Sequence, residues 1–188
     1  MKKIVLILGF LAMAVFKGAA SGPESDGKSN FAKFYDKYKQ ASQVSAVYVS
    51  ESLLSLASEL DGFVDFDGVD INGTDVTALM AIGKLKGLYI VSSSWNDRAR
   101  ELNADIEKYI NGGGRQYEEL IRVRQDSEDV AMYYWSPDGV QVGEFLMVNK
   151  LVFSGNGQVF RISIIQFEAE DLKLADLIKV TLDIAKEN

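Results

Sequence analysis

The chain has 188 residues, with 20 lysines and arginines against 27 aspartates and glutamates, a formal net charge of −7, and neither histidine nor cysteine. That length suits one ordinary domain, and 47% hydrophobic with 25% charged residues is a globular composition. Without histidine or cysteine, Ser-His-Asp triads, cysteine nucleophiles, haem ligation, iron–sulfur clusters, the usual zinc sites and disulfides are all excluded.

In chain order, the first expectation is an export signal over residues 1–20. Lys2 and Lys3 form a basic start, IVLILGFLAMAVF is too short to span a bilayer comfortably, and Gly18-Ala19-Ala20 suits signal-peptidase cleavage after Ala20. Removing Lys2, Lys3 and Lys17 takes the net charge from −7 to −10. So acidic a chain has little to offer phosphate backbones or anionic headgroups. The expected partners are an envelope protein or a small ligand, with no nucleic acid and no membrane insertion after cleavage. The expected location is periplasmic or secreted, and without cysteine the protein is not a lipoprotein. No cofactor is implied.

SGPESDGKS, residues 21–29, is a polar, glycine- and proline-bearing leader, and a single α+β domain is expected over 30–188. Phe31, Phe34, Tyr35 and Tyr38 mark one face of a helix, capped by Ser29 or Asn30. VSAVYVS predicts a strand over 44–50, and ESLLSLASEL after it predicts a helix. KGLYIVSSS predicts a strand over 86–94, followed by a helix bearing Ala99, Leu102, Ile106, Tyr109 and Ile110 on one face. NGGGR then ends that helix: phosphate loops lie between a strand and a helix N-terminus, whereas these glycines follow a helix C-terminus. Asn111 or Gly112 is expected to take the left-handed conformation there, with Arg115 approaching the free carbonyls.

Beyond the glycines the period falls from 3.6 to 2. YEELIRVRQ, DVAMYYW, VQVGEFLMV and QVFRISIIQF predict a four-strand antiparallel meander, punctuated by SPDG and Asn156-Gly157. DLKLADLIKVTLDIAKEN predicts a closing helix from Asp171. The expected fold is therefore a two-layer α+β sandwich. Its single mixed sheet has about six strands, from two β-α units and the meander, and helices cover one face. In the first meander strand Ile121 and Val123 would face the core, and Arg122 and Arg124 would face out.

The segments FAKFYDKYKQASQVSAVYVSESLL, KGLYIVSSS and YEELIRVRQDSEDVAMYYW resemble an exported bacterial family, common in Bacteroidota, known as domain of unknown function 4252. The resemblance runs from about Phe31 to Ile178. It implies an exported α+β domain and carries over no catalytic residue.

Four constellations bear on function. Asp65, Asp67, Asp70, Asn72 and Asp75, with Asp61, lie in an acidic loop with oxygen donors suited to calcium, although the spacing departs from an EF-hand and favours a solvated loop, so no metal is expected. Glu118, Glu119, Glu144, Glu168 and Glu170 are glutamates near strands, and paired carboxylates can cleave glycosidic bonds. Glu144 interrupts an apolar strand, where half-burial would raise its pKa; pairing with an arginine or pointing to solvent is the commoner arrangement. Ser92–Ser94 precede a helix and suit capping better than nucleophilic catalysis. Finally Arg122, Arg124, Tyr133 and Trp135 are expected to gather on the outer sheet face as a binding platform. The leading expectation is a non-catalytic binding domain. The alternatives are a carboxylate-based glycan-active enzyme or sugar-binding module, and a component of envelope-stress signalling.

Overall fold

The structure, a computed structural model, describes residues 30–59, 84–112, 115–153 and 155–178. The predicted signal peptide, the leader, the acidic calcium loop and most of the closing helix fall outside them. Helix α1 (Asn30–Tyr38) is followed by β1 (Ser45–Ser50), α2 (Glu51–Glu59), β2 (Lys84–Ser93), α3 (Asn96–Gly112), β3 (Glu118–Gln125), β4 (Glu128–Trp135), β5 (Gln141–Val152) and β6 (Val159–Lys173). Residues 174–178 are helical.

The α+β architecture is as expected, with one difference in pairing. The six strands run in the order β1-β2-β6-β5-β4-β3, and every neighbouring pair is antiparallel rather than mixed. The two β-α units are present in sequence order, but their strands do not pair in parallel. From β2, α3 carries the chain to the far edge of the sheet, where β3 runs in the same direction as β2. The meander then fills the gap, and β6 docks antiparallel against β2. Its tight turns explain the regular return. Asp138 Oδ1 accepts the amide N–H groups of Val140 (2.9 Å) and Gln141 (2.8 Å), and Gly139 takes φ 74° beside it.

The sheet buries apolar side chains on both faces, not one. On the first, which we call the helix face, Phe31, Phe34, Tyr35 and Tyr38 of α1 and Ala99, Leu102 and Ile106 of α3 pack over Tyr89, Val91, Leu146, Val148, Ile162 and Ile164. On the second, Leu54 of α2 and Leu177 pack with Leu85, Phe145, Met147, Phe167 and Leu172. Period-2 alternation supplies the two sets: in β5, Leu146 and Val148 belong to the first core, Phe145 and Met147 to the second.

Two further expectations change. Asp171 does not open a helix; it lies in β6 with φ 62°, because Gln141 and Val142 of β5 pair with Lys173 and Leu172 and extend the ladder past it. Likewise Asn111 and Gly112 remain helical, without positive φ. Asn111 instead donates its side-chain amide to the Glu107 carbonyl at 2.8 Å, satisfying an end group from within the helix. Ser93 does not cap the first turn of α3: its Oγ accepts the Trp95 amide (3.2 Å), just before the helix begins, and donates to the Gln43 carbonyl (2.8 Å).

Ile164 is fully buried where Val91 and Val148 flank it across the strands. Ile164→Ala is expected to destabilise the fold by roughly 2–5 kcal/mol, read as a lower midpoint in chemical denaturation with an unchanged slope.

Candidate functional site

One register row of the helix face is polar. Gly87 of β2, Glu168 of β6, Glu144 of β5 and Trp135 of β4 are successive cross-strand partners. Two carboxylates thus sit opposite one another between two positions occupied by aromatic rings. Each ring lies over a glycine. A Cβ on Gly143 would come within 2.6 Å of Trp135 Cζ3, and one on Gly87 within 3.2 Å of Tyr48 Cε2. A side chain at Gly143 would displace the Trp135 ring, whereas one at Gly87 would press closely on the Tyr48 ring.

Glu144 is 1% exposed, and a charge so deeply buried is costly unless fully paired. Here it is paired three ways. Arg115 forms an ion pair with Oε1, Tyr117 donates to Oε2, and the Tyr109 hydroxyl lies 3.3 Å from Oε2. The two phenol oxygens are 2.9 Å apart. Burial pushes both phenols above their usual pKa, so they stay protonated as donors at neutral pH. Arg115 also stacks on Trp135, 4.3 Å from guanidinium carbon to ring centroid, so one cation serves a carboxylate and an aromatic face together. This replaces the expected contact of Arg115 with helix carbonyls. Glu168 differs from Glu144 in its charge balance: the Oε1 atoms of both are buried without a hydrogen bond among the described residues, but Glu144 Oε1 has the Arg115 ion pair and Glu168 Oε1 has none.

The expected platform is only partly assembled. Arg122 hydrogen-bonds Tyr133 (2.5 Å), Glu119 (2.7 Å) and Asp129 (3.2 Å), which gathers Arg122 and Tyr133 as foreseen. Trp135 lies two residues further along the same strand and takes Arg115 as its cation. Arg124 is 70% exposed beside Asp129. These side chains do not occupy a helix-free face: Tyr133 packs against the core that α1 and α3 cover. Val123, expected inside, is 52% exposed at the sheet margin. The edge position explains it, since β3 has a neighbour on one side only. Of the remaining glutamates, Glu118 accepts from Tyr134, Glu119 from Arg122, and Glu170 pairs with Lys86. The calcium candidates Asp65, Asp67, Asp70, Asn72 and Asp75 lie outside the described residues.

Tyr109, Arg115 and Tyr117 were not foreseen as partners of Glu144. They stand 27 to 35 positions before it, and pattern carries no information across that distance.

Fold and site together define an antiparallel α+β domain with an aromatic and arginine-lined polar cluster on its helix face. The chain belongs to the family described as Domain of unknown function (DUF4252), whose model matches residues 38–180. The match begins at the last residue of α1, so most of the aromatic helix precedes it. No curated protein matches the chain.

Gly143→Ala should displace the Trp135 ring, lowering stability by about 1–3 kcal/mol and changing tryptophan fluorescence; unchanged emission and stability would contradict the packing. The raised phenols of Tyr109 and Tyr117 set an alkaline limit. In the folded protein these groups stay neutral above the ordinary tyrosine pKa of 10.0, whereas in the unfolded chain they ionise there. Their contribution is therefore complete below pH 10 and lost as pH rises above it. Denaturation followed against pH should show this decline, and it should be smaller in Tyr109→Phe.

Proposed function

We propose that this protein is a non-catalytic exported domain, periplasmic or secreted, that binds an envelope protein or a small ligand. The binding ledge is Trp135 and Tyr133, flanked by Arg115, Arg122 and Arg124. One observation carries the reading: the Trp135 ring is held flat over Gly143 by Arg115, whose guanidinium is itself anchored on buried Glu144. Ordering side chains on binding costs free energy, and a tryptophan already fixed between glycine and arginine avoids most of that cost. Tryptophan, tyrosine and arginine are also the residue types that dominate interface hot spots. Export rests on the sequence of residues 1–20. Among the described residues, no helix is long and apolar enough to cross a membrane.

A carboxylate-based glycan-active enzyme is the second reading, favoured by one observation, the direct opposition of Glu144 and Glu168. Opposed side chains on antiparallel strands start about 4.5–5.5 Å apart at Cβ, near the roughly 5–5.5 Å between carboxyls of retaining glycosidases. Against it, Glu144 is sealed beneath an arginine and two tyrosines, with no approach for an anomeric carbon.

Crosslinking the exported protein in cells, followed by identification of captured molecules, tests the binding reading. Trp135→Ala combined with Arg124→Ala should weaken capture about 30-fold, the effect of a hot-spot loss near 2 kcal/mol, with the circular dichroism spectrum unchanged. Undiminished capture would remove the ledge from the interface. Sugar release from a glycan, abolished by Glu168→Gln, would establish the enzyme instead.

A further inference from the structure

We infer that the helix face holds a site for a primary ammonium group with a neighbouring oxygen, formed by Glu168 and Gln166. The inference rests on the binding reading above and supplies the chemistry of the ligand. Gln166 is 0% exposed, on β6 between Tyr89 and Leu146, and among the described residues neither its Oε1 nor its Nε2 has a partner. A buried amide without hydrogen bonds is unfavourable enough to be rare in folded proteins. Two positions along the same strand, on the same face, Glu168 Oε1 is also buried and unpartnered. Glu168 as a whole remains partly exposed, whereas Gln166 is fully covered.

Charge and ring geometry select the guest. The row contains two carboxylates, and its one guanidinium is spent on Glu144. Glu168 forms no ion pair among the described residues. Beside it the Tyr48 ring overlies Gly87, with the Tyr89 ring centroid 4.7 Å from that of Tyr48. Gly87 is the cross-strand partner of Glu168, so the ring over Gly87 lies beside that carboxylate. Aromatic faces next to an unpaired carboxylate attract a cation.

A metal ion is a poor fit. Two free side-chain oxygens fall short of the six to eight that calcium takes, and no group of three acidic ligands occurs among the described residues. An ammonium has three donors, enough for Glu168 Oε1, Gln166 Oε1 and a tyrosine face. Gln166 Nε2 then still needs an acceptor, which an oxygen close to the nitrogen provides. Amino alcohols, amino sugars and the α-ammonium of a peptide all carry that pair of atoms.

The test is an NMR titration of the full exported chain with ethanolamine, ethylammonium and ethylene glycol. Ethanolamine should bind saturably, ethylammonium roughly tenfold more weakly for want of the oxygen, and ethylene glycol not at all. Glu168→Gln should weaken ethanolamine at least tenfold, and Gln166→Met, which keeps the volume without the amide, should do the same. Glycinamide and glucosamine, run alongside, separate peptide from amino-sugar ligands. Equal binding of ethanolamine and ethylene glycol, wild-type affinity in either variant, or no saturable shift by about 100 mM would overturn the site. Ethanolamine binding that Glu168→Gln abolishes, in a protein whose capture survives Trp135→Ala, would retain this site and reject the ledge. Lost capture without ethanolamine binding would do the reverse.

Discussion

Strand β6 holds together two parts of the chain that would otherwise have separate sheets. Its one side pairs with β2, laid down before α3, and its other with β5, the previous strand of the meander. The pairing with β2 closes a loop of some seventy residues, an entropic cost that burial on both faces has to offset. Val91, Ile164 and Val148 form one row of that burial, and Leu88, Phe167 and Phe145 form another on the opposite face. Without β6 in the centre, α1 and α3 would have no continuous surface to cover. The polar row depends on it equally, since Glu168 meets Glu144 only because β6 lies beside β5 in this register.

The polar row shows how one sheet face carries both a core and a site. Leu146 and Glu144 are two positions apart on β5 and face the same way, yet one lies in the apolar cluster and the other beneath an arginine. The transition is possible because the chain leaving α3 delivers Arg115 and Tyr117 to the place where the helix stops covering the sheet. Tyr109, in the last turns of α3, belongs to both: its ring packs edge-on to Phe31, and its hydroxyl reaches the carboxylate. The helix end, the strand entry and the centre of the sheet are thereby tied to a single buried charge.

The two carboxylates of that row have unequal surroundings, and the inequality bears most directly on function. Glu144 has its charge balanced by Arg115 and its Oε2 engaged by tyrosine hydroxyls, which suits a positioning role for Arg115 and Trp135. Glu168 has neither, and next to it Gln166 carries an amide with the same deficiency. Carboxylate, amide and tyrosine faces are sufficient for recognising a cationic group. Membership of a family whose description assigns no activity leaves the reading to these side chains.

Much of the secondary structure was legible because it follows from local spacing. The stripe of Ala99, Leu102 and Ile106 marked α3, and all three are buried. The alternation in VQVGEFLMV and QVFRISIIQF, with SPDG and Asn-Gly between, marked β5 and β6. Legibility failed where a distant partner outweighed a local signal: Asp171 has the look of a helix start, yet the ladder to β5 keeps it in a strand. Arg122 and Tyr133 could be brought together from adjacent strands, because a tight turn sets that register. Arg115 could not be matched to Glu144, because a bulge at Gly143 and two intervening strands decide where that carboxylate points. The amino-acid sequence by itself determined the excluded chemistries, the helices, the meander and its turns, all properties of composition or of spacing within a few residues. Tertiary structure alone decided that, among the described residues, every strand pair is antiparallel, both faces are buried, and Glu144 has an ion-pair partner while Glu168 Oε1 and the Gln166 amide have no partner. Those outcomes depend on which strands meet across the sheet, and the free energy that selects them is long-range burial.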